Sequence, residues 1–362
     1  MKNLLYILRN FQSENYGDLL INDYLIGQLS IHSRVDILYL KSNFDLLQQM
    51  TCLQSPNVKL IEWDKEFDRK FFLSVLLKKS FYQYICLIPG HSRYQGLKSR
   101  IVQLKNSFIL LFLQSLGIKC IWVCKSLDTL PALEQVLEKF ISKYIHRYSV
   151  RDSLTNINNH LNAEVWPDLA FLMPPNEQKI KSLSSKIIFS FRGDRGEVSE
   201  KIIENFCSIV IQKTLEKSNL NEIIFLGNVT LDVPFMKALS DRIRQQFSIT
   251  VKLVDNLDLI NIVNLYDENS LVFTDRLHVA LPAMINKTPA FPFIDLSLDT
   301  KILGIYKDMG WDEFIIPRPT SVDQLSELSN VGELHNTKMS EVVQTIEKVR
   351  INLSSKIAKI FS

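Results

Sequence analysis

The chain has 362 residues, with 42 Lys and Arg against 39 Asp and Glu, a formal net charge of +3, and 46% apolar and 22% charged side chains. That balance belongs to a globular protein, and the length exceeds one ordinary core while suiting two α/β domains. So small a charge, mixed along the chain rather than gathered in a basic block, argues against a nucleic-acid partner.

The five cysteines, Cys52, Cys86, Cys120, Cys124 and Cys207, show no Cys-x-x-Cys pair and no Cys/His spacing that fits a metal. They read as reduced, buried thiols of a cytosolic protein, with no metal and no cofactor expected. The apolar run within residues 1–9 is shorter than a signal-peptide core and has no small-residue cleavage site, so it reads as the first strand. The longest apolar stretch, residues 108–123, is interrupted by Gln114, Ser115, Gly117 and Lys119. It falls short of the roughly 20 residues that span a bilayer and reads as helix, turn and strand.

In chain order, strands are expected at 4–8, 35–40, 58–62, 84–89, 118–124 and 148–151, with helical patterns at 18–29, 97–116 and 131–145. Strands alternating with helices call for a mostly parallel sheet covered on both faces. The segment Pro167-Asp168-Leu169-Ala170-Phe171-Leu172-Met173-Pro174-Pro175, followed by the polar run 176–185, breaks the alternation and reads as a linker. The division expected is therefore 1–174 and 175–362. The pattern then restarts: strand at 186–191, helix 197–215, strand 222–226, helix 233–247, strand 250–253, helix 257–266, strand 271–274, helix 278–286, strand 290–294, and helices at 299–309 and 336–360. Two Rossmann-like α/β domains facing a cleft, with a C-terminal helix, are the fold expected.

The side chains that carry chemistry lie at expected strand ends, where open α/β sheets bind ligands. After the apolar run Ser270-Leu271-Val272-Phe273 comes Thr274-Asp275-Arg276-Leu277-His278. Arg276 can grip a phosphate or carboxylate with two parallel hydrogen bonds, and His278 can move a proton near neutral pH. An Arg-x-His triplet can equally serve a plain helix start. Arg151 in Ser149-Val150-Arg151-Asp152-Ser153 and Arg192 in Ser190-Phe191-Arg192-Gly193-Asp194 hold equivalent positions, so three guanidinium groups at strand ends suggest an anionic ligand. Lys301 falls in the first turn of the helix after Asp295-Leu296-Ser297-Leu298-Asp299. Asn15-Tyr16-Gly17-Asp18 follows the first strand, with Gly17 for a tight turn and Asp18 to cap the next helix. It lacks the Gly-x-Gly-x-x-Gly fingerprint, which argues against a nicotinamide cofactor. Pro89-Gly90-His91-Ser92-Arg93 ends the strand near residue 88, where His91 or Arg93 can reach a ligand.

In this order, Asn15-x-Gly17-Asp18, Ser149-Val150-Arg151-Asp152-Ser153, Pro167-Asp168-Leu169-Ala170-Phe171, Ser190-Phe191-Arg192-Gly193, Arg276-Leu277-His278 with Lys287-x-Pro289, and Lys301 resemble the polysaccharide pyruvyl transferase family. The likeness spans roughly residues 10 to 310. It departs in two places. Pro89-Gly90-His91-Ser92 stands where relatives often carry a run of glycines, and Phe291-Pro292-Phe293-Ile294-Asp295 lacks a tyrosine found before the lysine in many.

The resemblance implies a GT-B-like fold and transfer of a pyruvyl group from phosphoenolpyruvate to two hydroxyls of a sugar. The product would be a cyclic ketal, released with inorganic phosphate. On that reading His278 is the general acid, Arg276 binds phosphate or carboxylate beside it, and Arg192, Lys301 and Arg151 bind the donor. Asn15, Asp18 and His91 face the acceptor, a lipid-linked or growing glycan of a bacterial surface polysaccharide. The protein would be cytoplasmic, with peripheral contact to the inner membrane. Two other readings compete: a GT-B-type glycosyltransferase using a nucleotide sugar, and a non-catalytic glycan-assembly protein.

Overall fold

The computed structural model describes residues 1–8, 15–92, 96–176, 185–217, 220–255, 262–321 and 335–362. These contain two sheets, every strand pairing parallel. The first holds β1 (Lys2–Ile7), β2 (Ser33–Tyr39), β3 (Val58–Glu62), β4 (Tyr84–Leu87), β5 (Gly90–Ser92), β6 (Lys119–Leu127), β7 (Arg147–Val150) and β8 (Glu164–Val165). Its order is β3-β2-β1-β4-β6-β7-β8, with β5 paired to β6. The second holds β9 (Ser185–Ser190), β10 (Leu220–Leu226), β11 (Thr250–Val254), β12 (Ser270–Thr274), β13 (Ala290–Ile294) and β14 (Ile316–Pro317), in the order β11-β10-β9-β12-β13-β14.

Each sheet runs outward from its first strand in one direction and then reverses to the other side, the doubly wound Rossmann-like pattern. The reversal falls between β1 and β4 in one sheet and between β9 and β12 in the other. The residues form two compact units. Met1–Ser13, Asp18–Leu172 and Val349–Ser362 make one, and Glu14–Gly17 with Met173–Lys348 the other. The break at Leu172 lies beside the Pro174-Pro175 pair, after a buried 3-10 turn, Leu169–Leu172. The C-terminal helix, His335–Ala358, divides between the units.

The apolar runs dictate the strands. Leu4, Leu5 and Tyr6 of β1, and Ile187, Ile188 and Phe189 of β9, are buried, as parallel strands covered on both faces require. In the second sheet, Phe225, Phe189, Phe273 and Phe291 occupy matching register positions on β10, β9, β12 and β13. Their rings stack in a row with centroids 5.5, 5.7 and 5.5 Å apart.

Some elements differ from expectation. The first helix begins at Tyr16 rather than Asp18. Asn15, not Asp18, supplies the capping bond, its side-chain oxygen accepting the Gly17 N–H at 3.0 Å. An unforeseen helix, Lys65–Leu76, is started by Asp64, whose carboxylate accepts the Phe67 N–H. The first half of the expected helix 257–266, residues 257–261, lies outside the described residues, as does most of the polar run 176–185. Among the described residues no helix is long and apolar enough to cross a membrane.

Strand β6 runs past the expected 118–124 to Leu127, through a positive φ of 52° at Cys124 and a register shift against β7. The shift turns Lys125 inward. Its fully buried ammonium pairs with Glu138 and sits 3.4 Å from the Trp122 ring centroid. Tyr148 donates its hydroxyl to the same carboxylate at 2.7 Å. Burial pulls the Lys125 pKa down, and Glu138 opposes that pull. Removing one member of such a pair leaves a buried charge uncompensated. Glu138→Ala should therefore lose about 3–5 kcal/mol of stability in a denaturant titration, whereas Lys125→Met with Glu138→Leu should lose clearly less.

Candidate active site

Strands β9 and β12 are neighbours at the reversal point of the second sheet, with Ser190 opposite Thr274. Their ends are tied together: the Thr274 hydroxyl donates to the Ser190 carbonyl at 2.6 Å and accepts the Arg276 N–H at 2.9 Å. The chains that leave these strands therefore start side by side, and each carries charge.

Asp275 is the hub. Its buried carboxylate accepts the Arg192 N–H at 2.9 Å on one oxygen and the Arg318 guanidinium at 2.8 Å on the other. Arg318 follows β14, lies over the Phe293 ring, and also donates to the Ser199 hydroxyl and the Phe293 carbonyl. One carboxylate thus joins the ends of β9, β12 and β14.

Around this hub, further arginines meet aspartates. Arg276 precedes the helix Leu277–Ile285 in extended conformation and pairs with Asp232, which lies at the start of the helix Val233–Gln246 after β10. Arg195 pairs with Asp299, just before the helix Thr300–Asp308 after β13. Arg192 makes a two-pronged contact with Asp194, at 2.9 and 2.8 Å. The Arg192 guanidinium pulls the Asp194 carboxyl down to about 2, with Arg276 and Arg195 adding to the pull. Asp232 and Asp299 behave oppositely. Burial raises both above the usual carboxylate range, against the pull of Arg276 and Arg195 respectively. Asp232 Oδ2 and Arg276 Nε are buried and have no hydrogen-bond partner among the described residues. Both retain capacity for a ligand.

His278 lies in the first turn of the Leu277–Ile285 helix, two residues beyond Arg276. Gly17 packs against its ring so closely that a Cβ at position 17 would overlap the imidazole. Asn15, next to it, forms an antiparallel bridge with Val229 after β10. The Asn15-x-Gly17 motif and the Arg276-x-His278 motif, far apart in sequence, therefore meet in the second unit. Lys301 stands in the first turn of Thr300–Asp308, after the Asp299 that Arg195 holds.

The remaining expected residues lie in the first unit. Arg151, at the end of β7, is 5% exposed and bonds Asp168 at 3.2 Å, so two of the motifs meet in one buried ion pair. Asp18 is in the first turn of the Tyr16–His32 helix. His91 lies in β5, opposite Ser126, and its side chain is outside the described residues. Sequence reasoning missed Asp232, Arg195 and Arg318. Asp232 had a usable signal, an acidic residue at a helix start just past a strand; Arg318 had none.

An incoming anion must compete with aspartates for these guanidinium groups. A carboxyl raised in the folded state takes up a proton as pH falls through that raised value, and Asp232 then loosens its hold on Arg276. Sulfate, whose charge does not change with this titration, should bind more tightly as pH falls through the raised Asp232 value than it does at neutral pH. In Asp232→Asn, calorimetric titration should give tight binding at both ends, with the pH dependence flattened.

Among solved structures, the chain is similar to a putative UDP-N-acetylglucosamine 2-epimerase from Listeria monocytogenes, with TM-score 0.57 and 10% identity over 99% of this chain and 98% of that one. It is similar to S. aureus MnaA, solved with UDP, at TM-score 0.56 and 10% identity over 98% of each chain. Anabaena Alr3699/HepE in complex with UDP gives TM-score 0.53 and 11% identity over 100% and 97%. At such identities the likeness concerns the fold, two Rossmann-like α/β domains of the GT-B kind. No curated protein matches the chain. The model of the family described as polysaccharide pyruvyl transferase matches residues 15–295, which reach from Asn15 through Arg192 and the Arg276–His278 segment to the end of β13. The chain belongs to the polysaccharide pyruvyl transferase family.

Proposed function

We propose that the protein transfers the pyruvyl group of phosphoenolpyruvate to two hydroxyls of one sugar, in a lipid-linked or growing glycan of a bacterial surface polysaccharide. The observation that carries this reading is the group of strand-end arginines tied together through Asp275, with His278 two residues beyond one of them, Arg276. Phosphoenolpyruvate brings a carboxylate and a phosphate, and both suit guanidinium donors.

In this scheme Arg276 and Arg192 bind the donor's anionic groups, with Lys301 contributing a third cation. His278 gives a proton to the methylene carbon, and the adjacent carbon becomes electrophilic and bonds to the first hydroxyl oxygen. The proton lost by that hydroxyl returns to His278. The second hydroxyl then displaces phosphate, its proton leaving with the phosphate, and the ketal closes. Asn15, Asp18 and His91 are assigned to the acceptor and Arg151 to the donor. The buried Asp168 partner of Arg151 gives that arginine a structural duty as well.

Thermal unfolding with added ligands tests the donor, because a ligand bound only by the folded protein raises the midpoint. The midpoint should rise with phosphoenolpyruvate, and the rise should vanish in Arg276→Ala. A rise with nucleotide sugars alone would transfer the reading to a glycosyltransferase. His278→Ala should keep the phosphoenolpyruvate-induced rise but lose about 100- to 10,000-fold in turnover. Full complementation by that variant in cells would instead mark a non-catalytic glycan-assembly protein.

Gly17 offers a sharper test of geometry. It sits within a helix, where alanine is favoured over glycine by about 1 kcal/mol. Backbone propensity therefore predicts that Gly17→Ala is harmless. The overlap with His278 predicts the reverse for catalysis, because a displacement of about 1 Å can cost roughly a hundredfold in rate. Turnover should fall at least about tenfold, and the unfolding midpoint should fall rather than rise, because the overlap reaches the His278 Cβ, which ring rotation cannot move.

A further inference from the structure

The first unit carries a surface that the candidate site does not use. Its helices Leu97–Ser115 and Ala132–Tyr144 pack against each other and are bridged by an Arg100–Glu134 ion pair. On the inner side, Leu110, Leu113 and Ile141 join the core of the first sheet. A surface helix ordinarily has one such apolar stripe and a polar opposite face. These two helices have a second apolar stripe. Ile101, Phe108 and Phe112 are exposed at helical spacing on one, and Val136, Phe140 and Tyr144 on the other. Phe108 and Val136 are 62% and 64% exposed.

The charges on this face have one sign. The Leu97–Ser115 helix contains no acidic residue. The Ala132–Tyr144 helix contains two, Glu134 and Glu138, and both are buried, held by Arg100 and Lys125. The charged side chains left exposed among the described residues of the two helices are Lys105, Lys139 and Lys143, together with the part-exposed, paired Arg100. Lys105 falls within the stripe of Ile101 and Phe108, while Lys139 and Lys143 directly precede Phe140 and Tyr144.

We propose that this two-helix face docks on the surface of an anionic lipid bilayer. Aromatic and aliphatic side chains enter the boundary between headgroups and acyl chains, and the lysines meet the negative surface potential. A protein partner of ordinary composition would not require that every carboxylate be withdrawn; an anionic surface does, since an exposed carboxylate would be repelled. An exposed apolar patch of this kind marks an interaction site rather than a neutral surface. The inference rests on this face alone and stands whichever donor the second unit binds.

Vesicle co-sedimentation of the full chain tests it, with phosphatidylcholine vesicles compared to phosphatidylcholine mixed with phosphatidylglycerol. The protein should sediment with the mixed vesicles and far less with the neutral ones, and added salt should weaken binding. The triple variant Phe108→Ser, Phe112→Ser, Phe140→Ser should bind at least about tenfold more weakly. Lys105→Glu, Lys139→Glu, Lys143→Glu should do the same. All six positions are solvent-exposed, so the thermal midpoint of each variant should match that of the wild type. Phosphoenolpyruvate should raise that midpoint in both variants as in the wild type, which separates failure of this proposal from failure of the donor assignment. Absence of vesicle binding, or equal binding to neutral and anionic vesicles, would overturn the proposal. So would a dimer, seen by sedimentation velocity, that the serine variant dissociates while no vesicle binding occurs: the face would then belong to a second copy.

Discussion

The row of phenylalanines across the second sheet sets the frame for everything above it. Phe225, Phe189, Phe273 and Phe291 stack in register, so four parallel strands are fixed at one level. A slip of one residue in any strand would turn its ring to the other face and break the row. With the strands so pinned, Ser190 and Thr274 end opposite each other, and the side chains beyond them converge without further adjustment. Hydrophobic stacking positions the polar site at one remove, and Asp275 then locks the three chain segments that leave the sheet.

The polar layer built on that frame is costly by itself. Asp232 and Asp299 are buried enough that desolvation outweighs the attraction of their arginines. Arginine keeps its charge in any protein environment, so strain in the pairs falls on the carboxylates. Asp194, more exposed and gripped by two prongs of Arg192, shows the opposite shift. Asp194 is thus shifted toward the ionised form, whereas Asp232 and Asp299, the direct partners of Arg276 and Arg195, are shifted toward the protonated one.

Much of this was legible in the sequence because parallel strands write themselves as short apolar runs. The strands at 58–62 and 290–294 match their expected limits, and Arg192, Arg276 and His278 were singled out as candidates because they follow such runs. What escaped notice depended on distance along the chain. Arg276 meets an aspartate 44 residues away and Asp275 an arginine 43 residues away, and no local pattern announces either pairing. The pairing of Arg151 with Asp168 was equally hidden, because Asp168 lies in a segment read as linker. Lys125 lay just beyond the expected strand 118–124, and nothing local announced that the strand would continue past the positive φ at Cys124 with this lysine buried against Glu138. The capping role passed from Asp18 to Asn15 because either residue type can fill it, and the choice is made by where the first helical turn forms.

The pairing of arginine with aspartate also bears on how fast an anion is captured. Long-range steering needs an uncompensated field reaching several ångströms into solvent. Here Arg192, Arg195, Arg276 and Arg318 are each matched by a carboxylate at contact distance, so their fields largely cancel beyond the site. A donor approaching from afar meets little net attraction and is recognised only when it displaces a carboxylate at close range. Encounter with the donor is therefore expected to proceed at an ordinary diffusive rate with weak dependence on ionic strength, and discrimination lies in how long the anion stays rather than in how quickly it arrives.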